Sequence, residues 1–260
     1  MKAMVLAAGL GTRLRPLTDN RPKALVEVAG RTLLEIALCR LRTFGVQEVI
    51  VNTHHYAGMI LKYLEANQNF GMRIEVSPEE VLLDTGGGLK NAAHFFLEDK
   101  QSSQEPFILH NVDVISTIDL GCIMRFHIEQ DALATLAVQD RETSRYLLFD
   151  ERGQLCGRRA GRVEKIEAAK VELRESELVR PARAVQALAF SGIHVISPRL
   201  FAKIREEGAF SIIDSYLNLA AQREKIVAFR ADEYEWRDLG RPESIAQATR
   251  EVLDGVYPGT

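Results

Sequence analysis

The chain has 260 residues, of which 46% are hydrophobic and 27% charged, with a formal net charge of -3. That length can bury the core of one α/β domain or two small ones. The lack of a basic excess argues against a nucleic-acid partner, while leaving room for a local pocket that takes one nucleotide. Cys39, Cys122 and Cys156 are odd in number and show no C-x-x-C spacing, which argues against a disulfide framework or a zinc site and for a reducing compartment. The apolar start meets Gly9 too early for a signal peptide, and no run approaches the ~18 apolar residues of a membrane helix, so a cytoplasmic protein without a membrane partner is expected.

In chain order, residues 4–8 form a short apolar run ending in glycine, as a buried parallel strand does. Leu33, Leu34, Ala37, Leu38, Leu41 and Phe44 recur at helical spacing, and Gly45 supplies the stop. Residues 48–52 predict a second strand, 59–64 a helix and 73–76 a third strand. Leu89, Ala92, Ala93 and Phe96 mark another helical face, and 107–109 a fourth strand running into Asn111-Val112-Asp113. Such alternation predicts an α/β fold: a three-layer, doubly wound, mostly parallel (mixed) sheet whose first half is Rossmann-like, with ligands beyond the carboxyl ends of its strands.

The second half is richer in strands, at 132–138, 145–149 and 187–196, with a hairpin turn at Asp150-Glu151-Arg152-Gly153. Residues 157–183 are charged and without a period, and are expected to run as an irregular excursion over the substrate side or as a mobile loop. Helices are predicted at 201–204 and 212–220, a strand at 225–230, and a last helix opened by Pro242. No linker or repeat interrupts the chain. One domain is expected over 1–260, with 1–115 and 116–260 as its two halves.

Four groups of residues carry chemistry. Directly after the first strand comes Ala8-Gly9-Leu10-Gly11-Thr12-Arg13, followed by Pro16, Thr18, Pro22 and Lys23. Two glycines there let backbone N–H groups approach phosphate oxygens, Arg13 can fork onto them, and Lys23 adds a compact charge. A dinucleotide fingerprint needs glycine where Leu14 stands, and a P-loop needs lysine where Thr12 stands, so neither motif is present. The second group is Asp84-Thr85-Gly86-Gly87-Gly88, read as a glycine loop that offers a close-packed wall and bare amides at a helix N-terminus. The third is a pair of aspartates, Asp113 at a strand's end and Asp238 in Trp236-Arg237-Asp238-Leu239-Gly240. Each could bind a hard cation or simply form a turn. The fourth is Ser191-Gly192, where glycine interrupts a strand as a bulge or as a place of close ligand approach. His54-His55 reads as a polar loop, since adjacent side chains diverge.

Taken whole, the string from Gly9 to Lys23 resembles the G-x-G-T-R, P-x-T and P-K signature of the sugar nucleotidyltransferase family, matching at Gly9, Gly11, Thr12, Arg13, Pro16, Thr18, Pro22 and Lys23. Within that family the pattern is most similar to the N-acetylmuramate 1-phosphate uridylyltransferases, with mannose- and heptose-1-phosphate guanylyltransferases next. The resemblance implies transfer of a nucleoside monophosphate from an NTP, UTP foremost, to a sugar 1-phosphate with release of pyrophosphate. A non-catalytic nucleotide-sugar-binding subunit is the alternative of another class.

It further implies Arg13 and Lys23 as catalytic residues. Ala8, Gly9, Gly11, Thr12, Ser77, Asp84 and Gly86 would hold the nucleotide, and Gly87, Asn111 and Gly192 the sugar phosphate. Asp113 and Asp238 would be ligands of Mg²⁺. Its partners would be small-molecule substrates alone. Val112 departs from the family's G-D pair, and Glu164-Lys165 resembles the family's E-K pair at an unusual spacing.

Overall fold

The computed structural model describes residues 1–98, 104–160 and 176–257. The 157–183 excursion and the Glu164-Lys165 pair therefore lie largely or wholly outside the described residues. In chain order the strands are β1 (Lys2–Leu6), β2 (Glu27–Val28), β3 (Arg31–Thr32), β4 (Glu48–Thr53), β5 (Arg73–Pro78), β6 (Phe107–Asn111), β7 (Val114–Ser116), β8 (Ala134–Gln139), β9 (Arg145–Asp150), β10 (Leu155–Ala160), β11 (Ser176–Leu178), β12 (Val185–Ile196), β13 (Ile226–Arg230) and β14 (Trp236–Asp238). The helices are α1 (Leu33–Thr43), α2 (Ala57–Ala66), α3 (Asp84–Asn91), α4 (Ala93–Leu97), α5 (Leu120–Glu129), α6 (Ile212–Ala221) and α7 (Pro242–Leu253).

Ten strands form one mixed sheet in the order β11-β10-β9-β12-β6-β1-β4-β5, with β8 added along β12 and β13 beyond β8. The half around β1 is parallel: β6, β1, β4 and β5 all run the same way. Beyond it β12 runs antiparallel to β6, β8 and β9. Alternation along β1 sends Ala3 and Val5 into one core and Met4 into the other, as the period of two requires. The first core packs α1, α2, α5 and α7 against the sheet, and the second packs α3, α4 and α6, giving three layers. Among the described residues no helix is long and apolar enough to cross a membrane.

Local chemistry explains the element ends. Thr32 caps α1 by accepting from the Glu35 N–H at 3.1 Å, and Gly45, with φ +80°, takes the left-handed stop that its sequence position predicted. The Asp150–Gly153 turn closes as expected, the Gly153 N–H donating to the Asp150 carbonyl at 2.9 Å.

Three readings need correction, and one helix went unforeseen. Residues 201–204, expected as a helix, hold only the end of a 3-10 turn over Pro198–Ala202. The glycine triplet does not precede a helix; it lies inside the first turns of α3. Residues 157–160 and 176–178 are strands β10 and β11 of the main sheet, so the ends of the supposed excursion are regular. Helix α5 carried no expectation, although Asp119 caps it by accepting from the Cys122 N–H at 2.8 Å.

Candidate active site

The site begins where β1 ends. The Ala7 N–H donates to Asn52 Oδ1 at 2.8 Å, after which the chain leaves the sheet through exposed Gly9 and Leu10. Gly11 has φ +65° and opens a short 3-10 turn over Thr12–Leu14. Leu14 is buried in the core and Arg13 is left exposed. A Cβ on Gly11 would sit 2.9 Å from Thr18 Cγ2 and 3.1 Å from Lys23 Cβ. The two parts of the motif are therefore packed on each other, and Thr18 Oγ1 donates to the Gly11 carbonyl at 2.9 Å. A second 3-10 turn, Lys23–Leu25, buries Ala24 and Leu25 and turns Lys23 Nζ onto Asp113 Oδ2 in an ion pair with both side chains 13% exposed.

Across the sheet, β12 is shared. Its residues 185–189 pair with β9 and 193–196 with β6, while β8 runs along its other edge. The register shifts between Phe190 and His194, and Gly192 stands in that bulge with φ +74°. A Cβ there would meet Asn111 Nδ2 and Val114 Cγ2, each at 2.9 Å, so β6 closes directly onto the bulge. The bulge sits where β9 leaves β12 and β6 takes over, and a cavity of about 1050 Å³ opens there.

A two-stranded ribbon brings the aspartates together. β14 pairs antiparallel with β7, with Asp238 opposite Val114, and the Leu239 N–H donates to the Asp113 carbonyl at 2.8 Å. Asp113 and Asp238 both line the cavity, with Arg13, Asn111 and Gly192. Val112 is buried in the core, 3% exposed, and leaves Asp113 at the cavity.

Asp238 Oδ1 accepts from the Gly240 N–H at 2.6 Å, and the Arg13 guanidinium packs beside Gly240. Asp113 Oδ1 and Asp238 Oδ2 make no hydrogen bond with the described residues. Two such oxygens on adjoining segments suit a hard cation that takes one or two carboxylates and draws its other ligands from water and phosphate. Among the described residues no group of three or more His, Cys, Asp or Glu is arranged to hold a metal by itself.

The other predicted residues fall into two sets. Asp84, left-handed with φ +58°, faces the cavity beside Thr85. Gly86, Gly87 and Ser77 do not line it. The expected bare amides are absent: the Gly86 and Gly87 N–H groups donate to the Phe210 carbonyl at 2.9 and 3.3 Å. Packing is why glycine stands there. A Cβ would lie 2.4 Å from the Phe210 ring at Gly86, 2.3 Å from the Gly208 carbonyl at Gly87, and 2.7 Å from Glu79 Oε1 at Gly88. Ser77 is buried, and its hydroxyl accepts from Asn91 Nδ2 at 3.1 Å.

Three functional features were missed in the sequence. Glu79, 5% exposed, accepts from Asn52 Nδ2 at 2.7 Å and from the Leu83 N–H at 2.9 Å. Through Asn52 it ties Ala7, at the start of the glycine loop, to α3. Arg141 lies with its guanidinium 3.6 Å from the Trp236 ring centroid and donates to the Phe190 carbonyl at 2.8 Å. Burial brings it down to about 10, and the charge of Asp238 opposes that shift. Arg159 lines the same cavity from β10. The Ser77-Pro78-Glu79-Glu80 stretch resembles the family's base-reading segment, yet that reading gave Glu79 no role of its own; single arginines in charged stretches carry no comparable signal.

Beneath the bulge, burial holds His110 at about 4 and His194 at about 3, so both stay neutral. His194 Nδ1 pairs with the Tyr216 hydroxyl at 2.9 Å. His54 meets the Glu79 carbonyl through Nδ1 at 2.8 Å, as a loop residue does.

Known proteins place this geometry in a family. The Nucleotidyl transferase model matches residues 2–255. An N-acetylmuramate alpha-1-phosphate uridylyltransferase of Caulobacter vibrioides is 35% identical over 97% of each chain. A mannose-1-phosphate guanyltransferase beta-B of Xenopus laevis is 29% identical over 98% of this chain and 66% of that one. Among solved structures, HddC from Yersinia pseudotuberculosis complexed with GMP-PN superposes with a TM-score of 0.71 at 21% identity, covering 96% of this chain and 99% of that one. A UDP-glucose pyrophosphorylase complexed with UDP-glucose gives 0.73 at 16%, over 98% of each. The glycine–arginine motif, the sheet that carries it and a full-length relative at 35% identity agree: this chain belongs to the nucleotidyl transferase family.

Proposed function

We propose that this protein transfers UMP from UTP to N-acetylmuramate 1-phosphate, releasing pyrophosphate, in the cytoplasm. The observation that carries this reading is the meeting of Asp113, Asp238 and Arg13 around one cavity large enough for a nucleoside diphosphate sugar, with Lys23 paired to Asp113 at its edge. The Caulobacter relative's name supports the choice of base and sugar.

The acceptor phosphate attacks the α-phosphorus of UTP, a new P–O bond forms, and the bond to the β-phosphate oxygen breaks. The nucleophile's second ionisation lies near ~6, so it arrives charged and needs no general base. The barrier is the approach of anion to anion and the charge growing on pyrophosphate. Arg13, exposed at the loop's end, neutralises the departing phosphates. Lys23 exchanges its carboxylate partner for phosphate oxygens. The loop of Ala8, Gly9, Gly11 and Thr12 wraps the triphosphate with its backbone, Asp84 borders the nucleoside, and Asn111 and Gly192 form the acceptor wall. Mg²⁺ held by Asp113 and Asp238 would neutralise phosphate charge at the reacting centre.

The test is pyrophosphate release across UTP, GTP, CTP and ATP, each paired with N-acetylmuramate, N-acetylglucosamine, mannose and heptose 1-phosphates. UTP with an amino-sugar phosphate should lead. A lead for GTP with mannose or heptose 1-phosphate would replace the reading with a guanylyltransferase, which the Xenopus relative's name favours. Binding without turnover on every pair would make it a regulatory subunit.

A further inference from the structure

Among the described residues, Arg13, Arg141, Arg145, Arg158 and Arg159 line the cavity, and they differ in their partners and in the burial of their nitrogens. Arg158 is already neutralised, with Glu177 and Asp214 each at 2.7 Å. Arg159, its neighbour in sequence, makes no hydrogen bond or ion pair with any described residue, and its Nε is buried. Arg141 likewise has a buried Nε without a partner, and its one hydrogen bond is to a carbonyl. Strand geometry puts the two on one side: Arg159 stands directly opposite Tyr146 on β9, and the Tyr146 hydroxyl accepts from the Thr143 N–H at 3.1 Å, in the turn that begins at Arg141.

A guanidinium turned into a cavity with a buried, unpaired Nε carries a desolvation cost, and an anion offsets it best because it answers both the charge and the open donor. Arg13 and Lys23 flank the nucleotide loop. Arg141, stacked on Trp236 beside Asp238 and Gly192, is placed for the acceptor's 1-phosphate. A neutral hexose phosphate has no second anion and would leave Arg159 uncompensated.

We propose that Arg141 and Arg159 form an anion-reading wall in the acceptor half, Arg141 for the 1-phosphate and Arg159 for a carboxylate on the sugar. This rests on the function proposed above and deepens it, because N-acetylmuramate differs from N-acetylglucosamine by a lactyl ether ending in a carboxylate. A planar carboxylate takes both N–H groups of a guanidinium edge at once.

The experiment compares kcat/KM for N-acetylmuramate 1-phosphate, its lactamide, N-acetylglucosamine 1-phosphate and glucose 1,6-bisphosphate, at saturating UTP, in wild type, Arg159→Gln, Arg159→Lys and Arg141→Gln. The ratio between acceptors is internal to each variant, so partial loss of fold cancels. Wild type should prefer the carboxylate over the lactamide by roughly ten- to a hundredfold, as one charge-assisted contact allows. Arg159→Gln should bring that preference within about threefold, Arg159→Lys should retain part of it, and Arg141→Gln should weaken all acceptors alike. Arg159→Gln keeping the full preference would overturn the inference, as would a wild type equally active on both sugars or most active on the bisphosphate. Inactivity of wild type on both amino sugars, with GTP and mannose 1-phosphate active, is a separate outcome that removes the underlying function as well.

Discussion

Glu79→Gln isolates the link between the phosphate loop and α3. Each Glu79 oxygen accepts one hydrogen bond, from Asn52 Nδ2 at 2.7 Å and from the Leu83 N–H at 2.9 Å. A glutamine offers one oxygen and one NH₂, so one of those two donors loses its acceptor. Flipping Asn52 to present its oxygen rescues that contact only by withdrawing Oδ1 from the Ala7 N–H. At least one buried or half-buried donor is therefore stranded in every arrangement. Such a group costs about 1–3 kcal/mol, and exchanging a charged acceptor for a neutral one adds about 1 kcal/mol. A total near 2–4 kcal/mol corresponds to a Tm lowered by roughly 4–12 °C in a chain of this size. Thermal unfolding followed by circular dichroism measures it, and the KM for UTP should rise in parallel as Ala7 loosens. A change below about 0.5 kcal/mol would refute the reasoning, because it would mean that the two hydrogen bonds to Glu79 do not hold this part of the fold.

Other outcomes follow from the same geometry. Gly87→Ala should destabilise by about 2 kcal/mol, since the new Cβ would meet the Gly208 carbonyl at 2.3 Å; stabilisation by the ~1 kcal/mol of helix propensity would show that the contact is soft. Arg13→Ala should lower kcat by about 10²–10³ with Tm almost unchanged, because the residue is exposed; a near-normal rate removes the phosphate assignment.

The pH dependence of stability is set by buried histidines. His110 and His127 are held at about 4 and His194 at about 3 by burial, against ~6.5 unfolded. The unfolded chain protonates first, so stability is full above about pH 7 and falls as pH drops from ~6.5 towards 4. Three such groups give a slope approaching about 4 kcal/mol per pH unit. Urea midpoints that stay level from pH 7 to 4.5 would contradict this.

The family motif from Gly9 to Lys23 was legible because its residues are contiguous and each type has few other uses in that order after a buried strand. The layered sheet was legible because apolar runs and helical stripes alternate. What was missed lay where tertiary packing overrides local preference. Three glycines argue against a helix, yet α3 needs them to lie against residues 208–210 and Glu79. The β7–β14 ribbon is three residues on each strand, too short to leave a period, so the convergence of Asp113 and Asp238 rested on resemblance alone. Arg141 and Arg159 resemble solvated surface charges until the sheet folds them over a cavity.

The central claim is that the reacting centre lies where Asp113 and Asp238 meet. The most direct measurement is acceptor-dependent pyrophosphate release from UTP by wild type, Asp113→Asn and Asp238→Asn, with Mg²⁺ titrated in each. Asparagine keeps the shape and removes the charge. Wild type should release pyrophosphate only with the acceptor present, and each variant should lose about 10²-fold or more in kcat and need more Mg²⁺, while retaining a folded unfolding transition. Variants that keep wild-type turnover and the wild-type Mg²⁺ requirement would contradict the account.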